Sequence, residues 1–214
     1  MEALLRLLSQ PRVQQDLLVQ MGRHLTLAGS AVLLAILVAV PLGVFLTRAP
    51  RFAQPVMTVV GLLQTLPSVA LLAFMIPVLG IGWQPSLAAL LLYALLPILR
   101  NTYTGITGVD QALLEAGRGM GMTPRQLLWQ VELPMAFRVI MSGIRVSTVL
   151  IIGWTTLAAF VGGGGLGEVI LTGFAMVSPA HILAGGVPVT LLALLADWGL
   201  GRLERRLTPR GLRV

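Results

Sequence analysis

Uncharged stretches about as long as a bilayer is thick alternate with short polar intervals along this chain, and that alternation predicts its elements. Four long runs free of charged residues cover 24–47, 52–99, 146–167 and 169–196. The second holds 48 residues. As one helix it would be roughly 72 Å long, more than twice a hydrocarbon core of about 30 Å. It therefore holds two spans, divided at Gly80-Ile81-Gly82-Trp83-Gln84-Pro85, where glycine and proline end helices and an indole suits the headgroup level. The pattern predicts an all-α membrane protein with five transmembrane helices, near 25–47, 56–79, 86–103, 136–160 and 181–203.

Composition supports that reading and removes several chemistries. Of the 214 residues, 56% are hydrophobic and 11% charged, with a mean hydropathy of +0.89. A soluble domain carries about 25% charged residues, so this chain lacks the polar surface to face water alone. The absence of cysteine excludes disulfides, thiolate metal sites and thiol nucleophiles. All fifteen basic residues are arginine, which excludes a P-loop lysine and Schiff-base chemistry.

Arginine also sets the expected orientation, because cytoplasmic flanks hold the excess of basic residues. With five spans and the C-terminus inside, twelve of the fifteen arginines fall on the cytoplasmic side, leaving Arg6, Arg12 and Arg23 outside. The expectation is N-outside, C-inside, with 204–214 as a cytoplasmic tail. The net charge of +7 follows from topology, and arginines scattered over loops argue against a nucleic-acid partner. Residues 1–20 hold no apolar core of a cleavable signal peptide, and 1–21 read as an N-terminal amphipathic, peripheral segment. Leu4, Leu5, Leu7 and Leu8 read as a short amphipathic helix on the outer membrane surface.

The long polar stretch, with a coupling loop at 110–134, carries the most specific signals. Asp110 can cap a first short helix that Gly119 or Gly121 ends. Thr123-Pro124-Arg125-Gln126 is a second start, with hydroxyl at the N-cap, proline at N1 and glutamine at N3 for a capping box. Leu127, Leu128 and Val131 give the second helix an apolar side, and Pro134 opens the fourth span. A helical hairpin of this kind, tethered between two spans, suits docking to another protein better than entry into a DNA groove.

The string Glu115-Ala116-Gly117, three residues, Gly121, nine residues, Val131, one residue, Leu133-Pro134 resembles the EAA loop of binding-protein-dependent ABC transporter permeases. It departs from that pattern by Gly117 for alanine and Val131 for isoleucine. The resemblance covers roughly 22–203. It implies the five-helix fold of a type I ABC importer permease in the cytoplasmic membrane of a bacterium or archaeon. It also implies that Glu115, Ala116, Gly117, Gly121, Leu133 and Pro134 form a coupling helix held in a cleft of an ATP-binding subunit. ATP and Mg²⁺ would be bound by that subunit and not by this chain. A second permease copy or a sister permease would complete the pore, and an extracytoplasmic solute-binding protein would select the solute. Gln64-Thr65-Leu66-Pro67-Ser68, the run 93–103 and Gly162-Gly163-Gly164-Gly165-Leu166-Gly167 are similar to permeases for osmoprotectants such as glycine betaine, carnitine or choline. Related permeases for methionine and other small solutes share the glycine-rich loop and the general plan.

Polar residues within spans are candidates for function. Gln64, Thr65 and Ser68 around Pro67, and Trp154 with Thr155, are candidate pore-lining residues. Trp154 has a face able to attract a quaternary ammonium. Asp197 in the last span lies at a depth compatible with Arg138 and Arg145 in the fourth, and an interhelical ion pair is expected. Gly162 to Gly167 lacks the lysine of a phosphate cradle, and 166–177 reads as a short re-entrant or surface segment. His24 and His181 stand alone near span starts, read as interfacial, with no second ligand at metal spacing. Two other classes remain open. A membrane-embedded lipid-modifying enzyme would need clustered titratable side chains, but the eight acidic residues form no paired motif. A passive channel would purify without an ATPase.

Overall fold

Proline and glycine set where the helices end, and small residues set how closely they pack. The computed structural model describes residues 2–208, apart from the side chains of Glu2, Ala3 and Leu5. The described residues are helical throughout, without strands. In chain order the helices are α1 (Glu2–Leu8), α2 (Pro11–Arg48), α3 (Pro50–Thr65), α4 (Ser68–Leu79), α5 (Trp83–Thr107), α6 (Gln111–Gly119), α7 (Pro124–Leu127), α8 (Leu133–Trp154), α9 (Leu166–Ala175) and α10 (Pro179–Leu207). A π-turn at Leu128–Glu132 joins α7 to α8, and a 3₁₀ turn at Thr155–Val161 continues α8. Proline stands in the first turn of α2, α3, α7 and α10, where its missing N–H costs nothing.

Four helices are long and apolar enough to cross a membrane, and α3 and α4, which meet at 99°, together have the length and composition of a fifth, as a broken span or a re-entrant loop. This corrects the expected single helix over 56–79. Leu66 precedes Pro67 and is extended (φ −66°, ψ 135°), the conformation that proline imposes on its predecessor. Pro41, Pro55, Pro77, Pro97 and Pro188 all lie inside helices that continue past them.

The other spans differ from expectation mainly in extent. α2 begins at Pro11 and not near 25, because Arg12, Asp16 and Arg23 project from exposed turns of one continuous helix. Residues 11–21 therefore belong to the first span's helix and not to a separate peripheral segment. The described part of the N-terminal segment, α1, is not free on a surface either. Leu7 is buried in a small cluster with Val169 of α9 and Ala184 of α10. The fourth helical rod extends upstream through the π-turn to Pro124 and ends in 3₁₀ form at Val161. α10 runs on to Leu207, and residues 209–214 of the expected tail lie outside the described residues.

The main core joins α2, α5 and α8. Its buried α2 positions, Leu27, Ala28, Ala31, Val32, Ala35 and Ala39, recur at helical spacing and are mostly small, as close packing in lipid favours. Gly143 of α8 sets the closest approach: a Cβ there would stand 2.7 Å from the Pro97 carbonyl oxygen and 2.6 Å from Asn101 Cβ. Large apolar residues such as Leu33, Phe45, Phe74 and Leu194 remain exposed on the outer faces, as a bundle in lipid requires.

Two ends of the bundle are distinct. At one end Gln20 of α2 accepts from Gly165 N–H at 2.9 Å and donates to Glu168, while Gly82 N–H donates to the Val161 carbonyl at 2.7 Å. At the other, Arg48 closes α2, and Arg145 of α8 meets the last turns of α10. The hairpin α6–α7 lies at this second end with the last turn of α10, whereas α1 packs on α9 and the start of α10 at the first.

Candidate functional site

The hairpin is built by two caps and an interior of its own. Asp110 Oδ1 accepts from Ala112 N–H at 2.9 Å and starts α6. Thr123 Oγ1 accepts from Gln126 N–H at 3.3 Å while Gln126 Oε1 accepts from Thr123 N–H at 2.8 Å, a complete capping box. α6 ends at Gly119, and Gly121 takes φ +81° in the turn, a conformation that glycine adopts without strain. Val109, Leu114 and Leu127 are buried together, with Met122, Val131 and Met135 packed on them. This interior is separate from the bundle core.

Of the six candidate coupling residues, Glu115, Ala116 and Gly121 are exposed, Leu133 and Pro134 are half-buried, and Gly117 is buried. Gly117 faces α7: a Cβ there would stand 2.7 Å from Leu127 Cδ1 and 3.2 Å from Met122 Sδ. Both obstacles are ends of flexible side chains, so the site accepts the alanine of the EAA pattern with a small shift. Besides Glu115 the hairpin exposes Leu113 and Met120, and the π-turn exposes Trp129, at 42%, 73% and 63%. Exposed apolar and aromatic side chains beside an acidic one are the kind of surface that protein partners cover.

Pro134 accounts for the π-turn beneath this surface. Lacking an N–H, it cannot continue the α-helical ladder, and its ring presses on the carbonyl four residues back. Leu133 N–H instead bonds to the Leu128 carbonyl, five residues back. The turn buries Glu132 to 2% exposure, and its carboxylate accepts from the Arg48 guanidinium at the end of α2. The sequence reading missed this pair. A charge one residue from Leu133-Pro134, with an arginine at a helix end, was the available signal.

The candidate pore residues differ in exposure. Gln64 and Ser68 flank the α3–α4 break and are half-buried, Thr65 is exposed, and Trp154 is half-buried against Tyr93, their rings 4.4 Å apart. Thr155 is fully buried, its hydroxyl donating to the Ile151 carbonyl at 2.7 Å. It presents no surface to a pore, which corrects the expectation that it lines one. His24 is likewise not interfacial: it is fully buried, and its Nε2 donates to the Ile152 carbonyl at 2.9 Å. His181 meets Ser178.

The ion pair of Asp197 falls to Arg145, whose Nη2 and Nε stand 2.8 and 3.1 Å from Oδ1. Arg145 also donates to Glu204 at 3.1 Å, and Arg138 approaches Glu204 at 3.9 Å. The four groups tie α8 to α10 as a network, with Arg138 on Glu204 and not on Asp197. Among the described residues, no three His, Asp or Glu side chains gather as a metal site.

A bent-helix bundle with a capped hairpin at its arginine-rich end is the geometry on which comparison with known proteins rests. The family described as the binding-protein-dependent transport system inner membrane component matches residues 26–209. The chain belongs to this family. It is a multi-pass inner-membrane permease subunit of an ABC importer, a transport component and not an enzyme. Membership implies an ATP-binding subunit and a substrate-binding protein as partners. The permease is 54% identical over 198 residues to the carnitine transport permease protein OpuCB of Listeria monocytogenes, covering 92% of this chain and 91% of that protein. It is 53% identical over 197 residues to the choline transport system permease protein OpuBB of Bacillus subtilis, with the same coverage. The osmoprotectant import permease protein OsmW of Salmonella typhimurium is 46% identical over 196 residues, 89% of this chain and 91% of that one. Among solved structures, an inward-facing MetNI methionine ABC transporter superposes with a TM-score of 0.85 at 22% identity, covering 94% of this chain and 100% of that one. That likeness carries the type I importer fold alone and says nothing of the solute.

Proposed function

We propose that the permease carries an osmoprotectant quaternary amine, such as glycine betaine, choline or carnitine, into the cell. The observation that carries this reading is identity above 50%, over nine-tenths of both chains, with permeases named for carnitine and choline. A hairpin exposing Glu115 beside Leu113, Met120 and Trp129 supports docking to the ATP-binding subunit, where Glu115, Ala116, Gly117, Gly121, Leu133 and Pro134 form or brace the contact. ATP and Mg²⁺ are held by that subunit. A second permease copy or a sister permease completes the pore, and an extracytoplasmic solute-binding protein delivers the solute. The hairpin end carries Arg48, Arg51, Arg118 and Arg125 and the α10 end Arg202, Arg205 and Arg206, against Arg6, Arg12 and Arg23 at the opposite end. This excess supports an N-outside, C-inside orientation. Gln64, Thr65, Ser68 and Trp154 around the α3–α4 break are the proposed pore residues.

The test is uptake of labelled glycine betaine, choline and carnitine into proteoliposomes holding the permease with its ATP-binding subunit and binding protein. ATP-dependent accumulation of at least one, absent without the binding protein, is expected. Accumulation of an amino acid instead, with none of the three amines carried, would overturn the substrate assignment.

A further inference from the structure

Among the described residues, Glu132 is the one acidic side chain that is buried. It closes the π-turn that joins the hairpin to α8, and Arg48, its partner, is the last residue of α2, two residues before Pro50 opens α3. The hairpin is continuous in chain with α5 on one side and α8 on the other. The ion pair adds a third attachment, to a helix eighty-four residues away in sequence.

An enclosed carboxylate is unfavourable unless paired, and an apolar pair of similar volume would hold two helices as firmly. What an ion pair adds is register: a fixed partner at a fixed place. The placement depends on Pro134, because a π-turn inserts one residue and rotates the preceding side chains by roughly 100° relative to an unbroken α-helix. The Arg48 side chain is half exposed, so its long arm follows a displaced carboxylate while its remaining donors stay in water.

Resting on the proposed docking of the hairpin, we propose that the Arg48–Glu132 pair transmits displacement of the hairpin to the α2–α3 corner, and that both are positioning residues for coupled transport. α3 leads directly to the 99° break at Leu66–Pro67. The pair therefore links the docking surface to the one bent crossing by a route that bypasses α5 and α8.

The complete transporter, with its ATP-binding subunit and binding protein, is reconstituted with Arg48→Met, Arg48→Lys and Glu132→Gln. Arg48→Met and Glu132→Gln are expected to retain the ATP-binding subunit on purification and to hydrolyse ATP at the wild-type basal rate. Their uptake per ATP hydrolysed should fall about ten-fold, within the usual range of coupling between sites. Arg48→Lys, which keeps the charge, should recover most of it. Wild-type uptake per ATP in Arg48→Met overturns the proposal, as does a loss of uptake that merely tracks loss of the ATP-binding subunit. Arg48→Met strands the buried Glu132 carboxylate and costs stability, so if either single variant fails to accumulate, the Arg48→Met/Glu132→Gln double variant, which removes both charges, decides together with Arg48→Lys. Glu115→Arg run in parallel separates the two readings: full coupling in that variant sinks docking through the hairpin, whereas coupling lost in Glu115→Arg and kept in Arg48→Met sinks only the strut.

Discussion

The side-chain amide of Gln64 donates to the backbone carbonyl of Tyr93 at 2.8 Å. In an unbroken helix that carbonyl would accept from residue 97, but residue 97 is proline and has no N–H to give. The exchange is reciprocal. Tyr93 OH donates at 2.6 Å to the carbonyl of Leu66, the residue at the break between α3 and α4. Two interruptions, one in each helix, thus satisfy each other, and Trp154 of α8 closes over Tyr93. An unpaired carbonyl in lipid has no water to turn to, so these bonds fix where the crossing bends.

Gln64→Leu is expected to leave the Tyr93 carbonyl unpaired and to destabilise the permease by about 1–3 kcal/mol. Thermal unfolding of the detergent-purified protein measures this. In a Pro97→Ala background, which restores the backbone donor, the same substitution should cost much less; an equal cost in both backgrounds would refute the pairing.

Gly167→Ala should prevent accumulation of folded protein. A Cβ there would lie 2.0 Å from the Thr156 backbone oxygen, an obstacle that no side-chain rotation removes, and a cost of about 3 kcal/mol or more is expected. Gly22→Ala, on an exposed turn of α2 with nothing within 4 Å, should accumulate normally. Equal yields of the two in membrane fractions would contradict the packing.

In the α8–α10 network, the side chains of Asp197 and Arg145 are partly exposed and that of Glu204 is only 14% exposed. Asp197→Asn should cost under about 1 kcal/mol, as exposed pairs do. Arg145→Leu strands the enclosed carboxylate of Glu204, leaving Arg138 as its more distant neighbour, and should cost about 3 kcal/mol. The ranking is read from melting temperatures, and the reverse order would show that Asp197 anchors the network.

On the hairpin, Gly117→Ala should keep uptake within about two-fold of wild type, since only Leu127 and Met122 tips must move. Glu115→Arg and Gly121→Trp should leave the permease in the membrane yet abolish ATP-coupled uptake, and normal uptake by both would count against docking there.

The local signals were the legible ones. Uncharged runs gave the crossings, and the caps at Asp110 and Thr123 stand where their side chains placed them, because capping is settled within three residues of chain. Sequence did not reveal the 99° break, because Pro67 is one of several prolines inside apolar runs, and only the bonds from Gln64 and Tyr93 distinguish it. Charge misled at the start of α2, where Arg12, Asp16 and Arg23 set the first span's start near 25 but sit on one side of a continuous helix. His24 and Thr155 were misplaced for a related reason: a polar side chain in a span reads as facing water or the interface, whereas both give their hydrogens to carbonyls within the bundle. The Arg145–Asp197 contact lay within reach of sequence because depth along two helices can be counted. The burial of Glu132 did not, since it depends on a turn wound one residue wider than the α-helical period.

Because Val109, Leu114 and Leu127 close an interior that shares no side chain with that of the bundle, the adaptor and the conduit can drift apart in sequence. Substitutions that refit the hairpin to a different motor need no matching change among the crossings. A conduit altered for a new cargo can likewise keep its old engine, provided the one arginine that reaches across from the membrane still finds its carboxylate.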